Sequence, residues 1–206
     1  MVAYKLYYFD LRGGGETIRL IFHYANIPFE DCRISLEDWP KIKPTTPTGK
    51  VPYLEVDGKS LPESGAILRY LGKKFGLVSS DEWENAQMEY IFEYFKDFLM
   101  EIKSYFQVTF HQIEGDKDQI YKDVYLPAAE KAYKKVGEVF SKSTSGFLAN
   151  TGITWADLLL AESTLTLKGM DSEFEKRWPF MIEHQKRVHS IPQLQKYLES
   201  RKPSPV

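Results

Sequence analysis

The segment Lys50-Val51-Pro52-Tyr53-Leu54-Glu55-Val56-Asp57-Gly58-Lys59-Ser60-Leu61-Pro62-Glu63-Ser64 holds the decision about the fold. Both central positions of a tight hairpin turn need positive φ, and Asp57-Gly58 meets that need at low steric cost. Residues 53–56 and 59–61 therefore read as two short antiparallel strands. Pro52 stands directly ahead of the first, where its missing N–H removes no ladder bond. A cis bond before it would turn the N–H and C=O of Val51 outward, as a sheet-like pair for an extended peptide ligand. Ser64 then opens a helix whose apolar residues Ile67, Leu71 and Phe75 recur at helical spacing as far as Gly76, a good terminator.

Upstream, Tyr4-Lys5-Leu6-Tyr7-Tyr8-Phe9 is an aromatic-rich strand that runs into turn-forming residues 10–15. Ile18, Ile21, Phe22 and Ala25 follow at helical spacing until Asn26 and Pro28 stop them, and residues 29–34 read as a second strand. Residues 39–49 carry Pro40, Pro44 and Pro47, which predicts a long irregular loop. The order is β-α-β-loop-β-β-α, with a mixed sheet. From residue 82 no strand pattern remains. Met88, Ile91, Phe92, Phe95, Leu99 and Ile102 form one apolar stripe of a long helix, and Tyr90, Tyr94, Phe98 and Tyr105 form a second row. That predicts a helix buried on two faces, hence a dimer seam. Thr154-Trp155-Ala156-Asp157 fits a capping box ahead of Leu158, Ala161, Glu162 and Leu165. Pro179 and Pro192 each open a further helix. The expected organisation is an α/β domain over residues 1–76, a linker over 77–81 and an all-α domain over 82–206.

With 206 residues, 43% of them hydrophobic, the chain has ample material for a packed core. A net charge of -2, with no long basic run, gives no footprint for nucleic acid or an anionic membrane surface. No stretch approaches the ~20 apolar residues of a membrane-spanning helix. The single cysteine, Cys32, cannot form an internal disulfide or a Cys-x-x-Cys pair, so a reducing, cytoplasmic setting is expected. It lies in the second strand with no histidine nearby in sequence and reads as a structural residue. The four histidines and the carboxylates show no metal-ligand spacing. Gly13-Gly14-Gly15 follows a strand but is no dinucleotide fingerprint, since Ile18 stands where the third spaced glycine belongs. The glycines are better suited to a tight turn.

The β-α-β-loop-β-β-α order resembles the thioredoxin-like arrangement, yet a tyrosine stands where the redox Cys-x-x-Cys would be. Tyr8 lies near the carboxyl end of strand one, facing the electropositive N-terminus of the next helix. A neutral phenol there can donate a hydrogen bond to an anion. If the anion is a ligand thiolate, lowering its pKa from ~8.5 by about two units takes roughly 2.7 kcal/mol. One charge-assisted hydrogen bond supplies roughly 1.5 to 3 kcal/mol. Ser64 and the free N–H groups around it suit a carboxylate. Lys43 and Lys50, in the proline-rich segment with Trp39, would suit a ligand with two carboxylates. Asp97 lies opposite the apolar stripe of its helix, facing solvent or another subunit.

Taken in order, Tyr4-Lys5-Leu6, Tyr8-Phe9, Arg12-Gly13, Asp38-Trp39-Pro40, Gly49-Lys50-Val51-Pro52, Leu54-Glu55-Val56-Asp57-Gly58, Glu63-Ser64 with Ala66-Ile67, and Thr154-Trp155-Ala156-Asp157 resemble the cytosolic glutathione transferases from end to end, and within them the sigma class. The resemblance implies a thioredoxin-like domain beside a helical one and an enzyme that joins glutathione to small hydrophobic electrophiles. Glutathione would be a co-substrate, with no permanently bound cofactor, and the enzyme a homodimer. By the same resemblance Tyr8 is the catalytic tyrosine, and Trp39 and Lys43 hold the glycine end of glutathione, with Lys50 in the same segment. Val51 before cis Pro52 pairs with the cysteinyl unit, Glu63 and Ser64 hold the γ-glutamyl end, and Asp97 reaches the partner subunit's site. The electrophile would lie near Tyr8, Phe9 and the aromatics of the long helix. Isomerisation of a prostaglandin endoperoxide, or a non-enzymatic ligandin or crystallin-like role, are the alternatives. Two positions depart from the family pattern. Glu63 replaces a usual glutamine, and Gly14 stands where relatives often carry an arginine.

Overall fold

The computed structural model describes residues 2–205. Strands β1 (Tyr4–Phe9), β2 (Glu30–Ile34), β3 (Tyr53–Val56) and β4 (Lys59–Pro62) form one sheet in the order β2-β1-β3-β4. β1 runs parallel to β2 and antiparallel to β3, and β3 pairs antiparallel with β4, so the sheet is mixed as expected. Asp57 and Gly58 take φ of 49° and 79°, the pair of positive values that a two-residue hairpin requires. Alternation along β1 sends Tyr4 and Leu6 into the core opposite Leu54, while Lys5 and Tyr7 face the other side. Helices α1 (Gly13–Tyr24) and α3 (Ser64–Lys74) cover the buried face.

Residues 39–49 are less irregular than their prolines suggest. Trp39–Ile42 is a single helical turn, α2, and Lys43–Thr45 a 3₁₀ turn. In each the proline sits within the first two positions, where the helix leaves the N–H unpaired anyway. α3 ends in a Schellman-type closure, with Gly76 at φ 73° and Leu77 N–H donating to Gly72 C=O at 2.8 Å. The segment beyond is pinned rather than loose. Leu77 is fully buried and its C=O accepts from Trp155 N–H, while the Ser79 hydroxyl donates to Glu84 and accepts from Thr151.

The helical half comprises α4 (Glu82–Glu101), α5 (Lys103–Thr109), α6 (Lys117–Ile120), α7 (Leu126–Phe140), α8 (Trp155–Met170), α9 (Phe174–Arg177), α10 (Pro179–His189) and α11 (Pro192–Ser200). The long helix expected from the apolar stripe breaks at Ile102, whose φ and ψ of -85° and 9° end α4 and start α5. Tyr105 thus belongs to a separate helix. α8 is buried nearly all round and carries the expected capping box, in which the Asp157 carboxylate accepts from the Thr154 N–H and hydroxyl, each at 2.8 Å. The two halves meet closely where α3 faces α8. A Cβ on Gly72 would fall 2.5 Å from the Trp155 ring, so only glycine fits that crossing.

Candidate functional site

Tyr8 sits where β1 turns into α1. Its phenolic oxygen accepts a hydrogen bond from Gly14 N–H at 2.9 Å, one of the amides that a helix start leaves without an internal partner. The glycines make this approach possible. A Cβ on Gly13 would lie 2.5 Å from the Tyr8 hydroxyl, and one on Gly15 2.5 Å from its ring. Gly14 is different. A Cβ there would meet the Tyr8 oxygen at 3.5 Å and Pro52 Cδ at 3.8 Å, ordinary contacts, so space does not dictate this departure from the family pattern.

Burial raises the pKa of the Tyr8 phenol, opposed by the Gly14 N–H and by the positive charge of Arg19. The hydroxyl is therefore protonated at neutral pH. Its oxygen is occupied by Gly14, so its proton is available to a ligand, and accepting one hydrogen bond polarises the group toward donating another. Arg19, itself fully buried, holds the loop from behind by donating to the carbonyls of Leu11 (2.7 Å) and Phe9 (3.1 Å).

Beside Tyr8 lies a cavity of about 420 Å³ between the sheet-bearing and helical halves. Its apolar walls are Phe9 and Leu11, Leu99 of α4, Ile102, Phe106 of α5, and Leu159 and Leu167 of α8, with Thr17, Ser163, Thr166 and the Arg12–Glu162 pair as polar points. Of the residues expected around the electrophile, Tyr8 and Phe9 line this cavity, whereas α4 supplies Leu99 and no aromatic ring. The break at Ile102 swings the chain so that Phe106 of α5 provides the ring instead. The α8 residues also escaped sequence reasoning, although the capping box at Thr154 fixes their helical phase.

The remaining sequence-derived candidates lie outside that cavity, all but Asp97 in the sheet-bearing half. Trp39 packs edge-on against Phe9, ring centres 5.2 Å apart, and Phe9 lies 5.5 Å from Tyr8. Lys43 and Lys50 are exposed, and the Lys43 stem passes near Gly49, whose φ is 68°. The Val51–Pro52 bond is cis. Glu63, exposed, precedes α3 with φ of 70°, an uncommon value for a residue other than glycine, and Ser64 is the first residue of that helix. Strained backbone of this kind concentrates at ligand-binding positions. Asp97 is exposed on α4 and lines a separate shallow depression with Tyr94, Glu101 and Lys131. Within one chain it is not part of the Tyr8 site.

A buried charge cluster, not foreseen from the sequence, backs the cavity. The Arg12 guanidinium bonds the Glu162 carboxylate at 3.1 Å, and Arg201 reaches both Glu162 (3.0 Å) and Glu16 (2.7 Å). His189 Nε2 lies 2.8 Å from Glu162 Oε1, the oxygen that Arg201 also reaches, while Arg12 holds Oε2. Arg12 and Glu162 are 150 positions apart, so no local spacing could reveal the pair. Among the described residues no group of histidines, cysteines and carboxylates could hold a metal ion, and no helix is long and apolar enough to cross a membrane.

Comparison with known proteins accounts for this arrangement. Residues 14–79 match the family model described as glutathione S-transferase, N-terminal domain, and residues 96–201 match its C-terminal counterpart. The chain is 44% identical to probable glutathione S-transferase 8 of Caenorhabditis elegans, over 98% of each chain. It superposes on a Nu-class transferase from Haemonchus contortus with a TM-score of 0.90 at 40% identity, each chain fully covered. A monomeric transferase from Necator americanus gives 0.92 at 39%, with 98% of each covered. Prostaglandin synthase D of Nilaparvata lugens gives 0.86 at 34%, covering 98% of this chain and 100% of that one. From full-length identity and a shared two-part fold, the chain belongs to the glutathione S-transferase family.

Proposed function

We propose that the protein joins the thiolate of glutathione to small apolar electrophiles, with Tyr8 as the hydrogen-bond donor that stabilises the thiolate. One observation carries this reading above the rest. A protonated phenol whose oxygen is already engaged by Gly14 N–H stands at the wall of an apolar cavity of about 420 Å³. Glutathione lies along the open edge, with its cysteinyl unit at Val51, its γ-glutamyl end at Glu63 and Ser64, and its glycine end toward Trp39, Lys43 and Lys50. The sulfur then points at Tyr8. The thiol loses its proton to solvent, and the phenol donates to the resulting thiolate. The thiolate attacks the electrophile held between Phe9, Phe106 and Leu159, forming a thioether as the carbon's bond to its leaving group, chloride in a nitroaryl chloride, breaks. Tyr8 keeps its proton throughout. Its task is charge stabilisation rather than base catalysis.

The likeness to a Nu-class transferase of Haemonchus contortus supports a Nu-class rather than a sigma-class assignment. We assign a homodimer in which Asp97, exposed and outside its own chain's site, completes the partner's. The monomeric Necator americanus relative makes this a point for measurement. A cytoplasmic setting fits the lone free Cys32. The likeness to a prostaglandin synthase supports a second reaction, in which the same thiolate attacks one peroxide oxygen of a prostaglandin endoperoxide. The O–O bond breaks and the other oxygen takes a proton, and the thiolate is released as the adjacent C–H loses its proton and a ketone forms. Retention on immobilised glutathione, followed by assays with a nitroaryl chloride and with an endoperoxide, separates the readings. Conjugation supports the first, isomerisation alone the second, and retention without turnover a carrier role.

A further inference from the structure

Arg12 uses its whole guanidinium. Nε donates to Ser204 C=O at 3.2 Å, and Nη2 to Pro205 C=O at 3.2 Å and to the Thr166 hydroxyl at 3.1 Å. Nη1 donates to the Glu162 carboxylate at 3.1 Å and to its backbone C=O at 3.4 Å. The side chain is 5% exposed and is neither free nor solvated. It ties three pieces of chain together: the loop before α1, the middle of α8, and residues 204–205 of the C-terminal segment. Lys202 to Asp10 (2.9 Å) and Arg201 to Glu16 (2.7 Å) fasten the same segment on either side.

The loop so anchored is the one that wraps Tyr8. Arg12 C=O accepts from Glu16 N–H at 2.9 Å, which starts α1, and the next two residues carry the turn whose Gly14 N–H meets the phenol. The clearances at Gly13 and Gly15 leave no slack between this backbone and the tyrosine, so a displaced loop must displace the phenol or lose its hydrogen bond. Resting on the reading that Tyr8 stabilises the thiolate, we propose that Arg12 is a positioning residue for the reaction. By fixing the Gly13-Gly14 turn between α8 and the C-terminal segment, it holds the Gly14 N–H and Tyr8 hydroxyl in line, and residues 203–205 belong to the catalytic apparatus through it.

A lysine at this position keeps one charge for Glu162 but cannot reproduce a planar fork to several acceptors. The test compares Arg12→Lys, a variant ending at Lys202, Tyr8→Phe and the double variant Arg12→Lys/Tyr8→Phe, each shown to be folded by thermal melt. Titration of bound glutathione by thiolate absorbance, together with kcat and KM, is the readout. Arg12→Lys and the shortened chain should each raise the bound thiol's pKa and lower kcat about five- to tenfold at neutral pH. KM for glutathione should change less than twofold, because the residues assigned to its ends lie elsewhere. In the Tyr8→Phe background, Arg12→Lys should have no further effect on the thiol. The shortened chain retains the Arg12–Glu162 pair, so it remains informative if Arg12→Lys folds poorly. An unchanged thiol pKa in both folded variants, or effects that simply add in the double variant, would overturn the inference while leaving the Tyr8 reading intact. An unchanged thiol in Tyr8→Phe alone would overturn that reading and this one with it.

Discussion

The phenolic oxygen of Tyr8 is 2.9 Å from Gly14 N–H and accepts its hydrogen bond, which leaves the tyrosine one proton to give and a backbone dipole to support it. Everything around this contact sets the phenol's position. Sheet register places Tyr8 opposite Arg33 at the end of β1, and Arg19 grips the carbonyls of the following loop.

The three adjacent glycines should respond differently to substitution. Gly15→Ala drives a methyl into the Tyr8 ring, with a separation of 2.5 Å before relaxation. It is expected to lower kcat/KM by as much as about a hundredfold, the scale of a misplaced catalytic group. At Gly14 an added Cβ meets only ordinary contacts, and Gly14→Arg adds a cation near the sulfur site. It should fold normally and lower the bound thiol's pKa by about one unit. Steady-state kinetics and thiolate titration on both variants check the contrast.

Glu162 should give the protein a characteristic acid limb. Burial would raise its pKa, but the hydrogen bond to His189 and the charges of Arg201 and Arg12 outweigh that and bring it down to about 2. A carboxyl lowered in the folded state contributes stability above its unfolded pKa and loses it as pH falls toward the folded value. The contribution, on the order of 3 kcal/mol, is complete at neutral pH and disappears between about pH 4.5 and 2. Urea unfolding at stepped pH should show it in the parent chain. Glu162→Gln should be weaker at neutral pH, with a flatter acid limb.

Within the capping box the two partners are unequal. Asp157 is fully buried and accepts from Thr154 N–H, the Thr154 hydroxyl and Leu148 N–H, and its Oδ1 lies 2.9 Å from His184 Nε2. Thr154→Ala should cost about 1 kcal/mol, as for other caps. Asp157→Ala leaves several buried donors unpaired and should cost at least about 3 kcal/mol. Denaturant midpoints at constant m-value decide it.

The elements that were legible in the sequence are those whose signal is local. Asp57-Gly58 dictates its hairpin by backbone freedom, and Thr154 with Asp157 marks the start of α8 by a three-residue spacing. The helical turn at Trp39–Ile42 is hidden in the sequence because Pro40 reads as a breaker unless it falls in the first turn, which depends on where the chain enters. The break at Ile102 was invisible because the apolar stripe continues across it. The cavity walls and the Arg12–Glu162–Arg201 cluster come from residues far apart in sequence, whose charges read locally as ordinary helix faces. Tyr8 stood between these cases, its position at a strand end being legible and its contact with Gly14 not.

If Asp97 completes the partner's site, its removal should act on binding and through the dimer. Asp97→Asn is expected to raise KM for glutathione several-fold with kcat little changed, and sedimentation should show the parent as a dimer. A monomeric parent with the same KM as the variant would remove Asp97 from the site.

Tyr8→Phe keeps the ring, its packing and the surrounding glycines, and deletes only the hydroxyl. Titrating the bound glutathione thiol in this variant is the most direct measurement of the role assigned to Tyr8. Loss of one charge-assisted hydrogen bond should raise that pKa by about one to two units, with conjugation of a nitroaryl chloride falling in proportion at neutral pH and glutathione still bound. A folded Tyr8→Phe enzyme with an unchanged thiol pKa and full conjugating activity would contradict it.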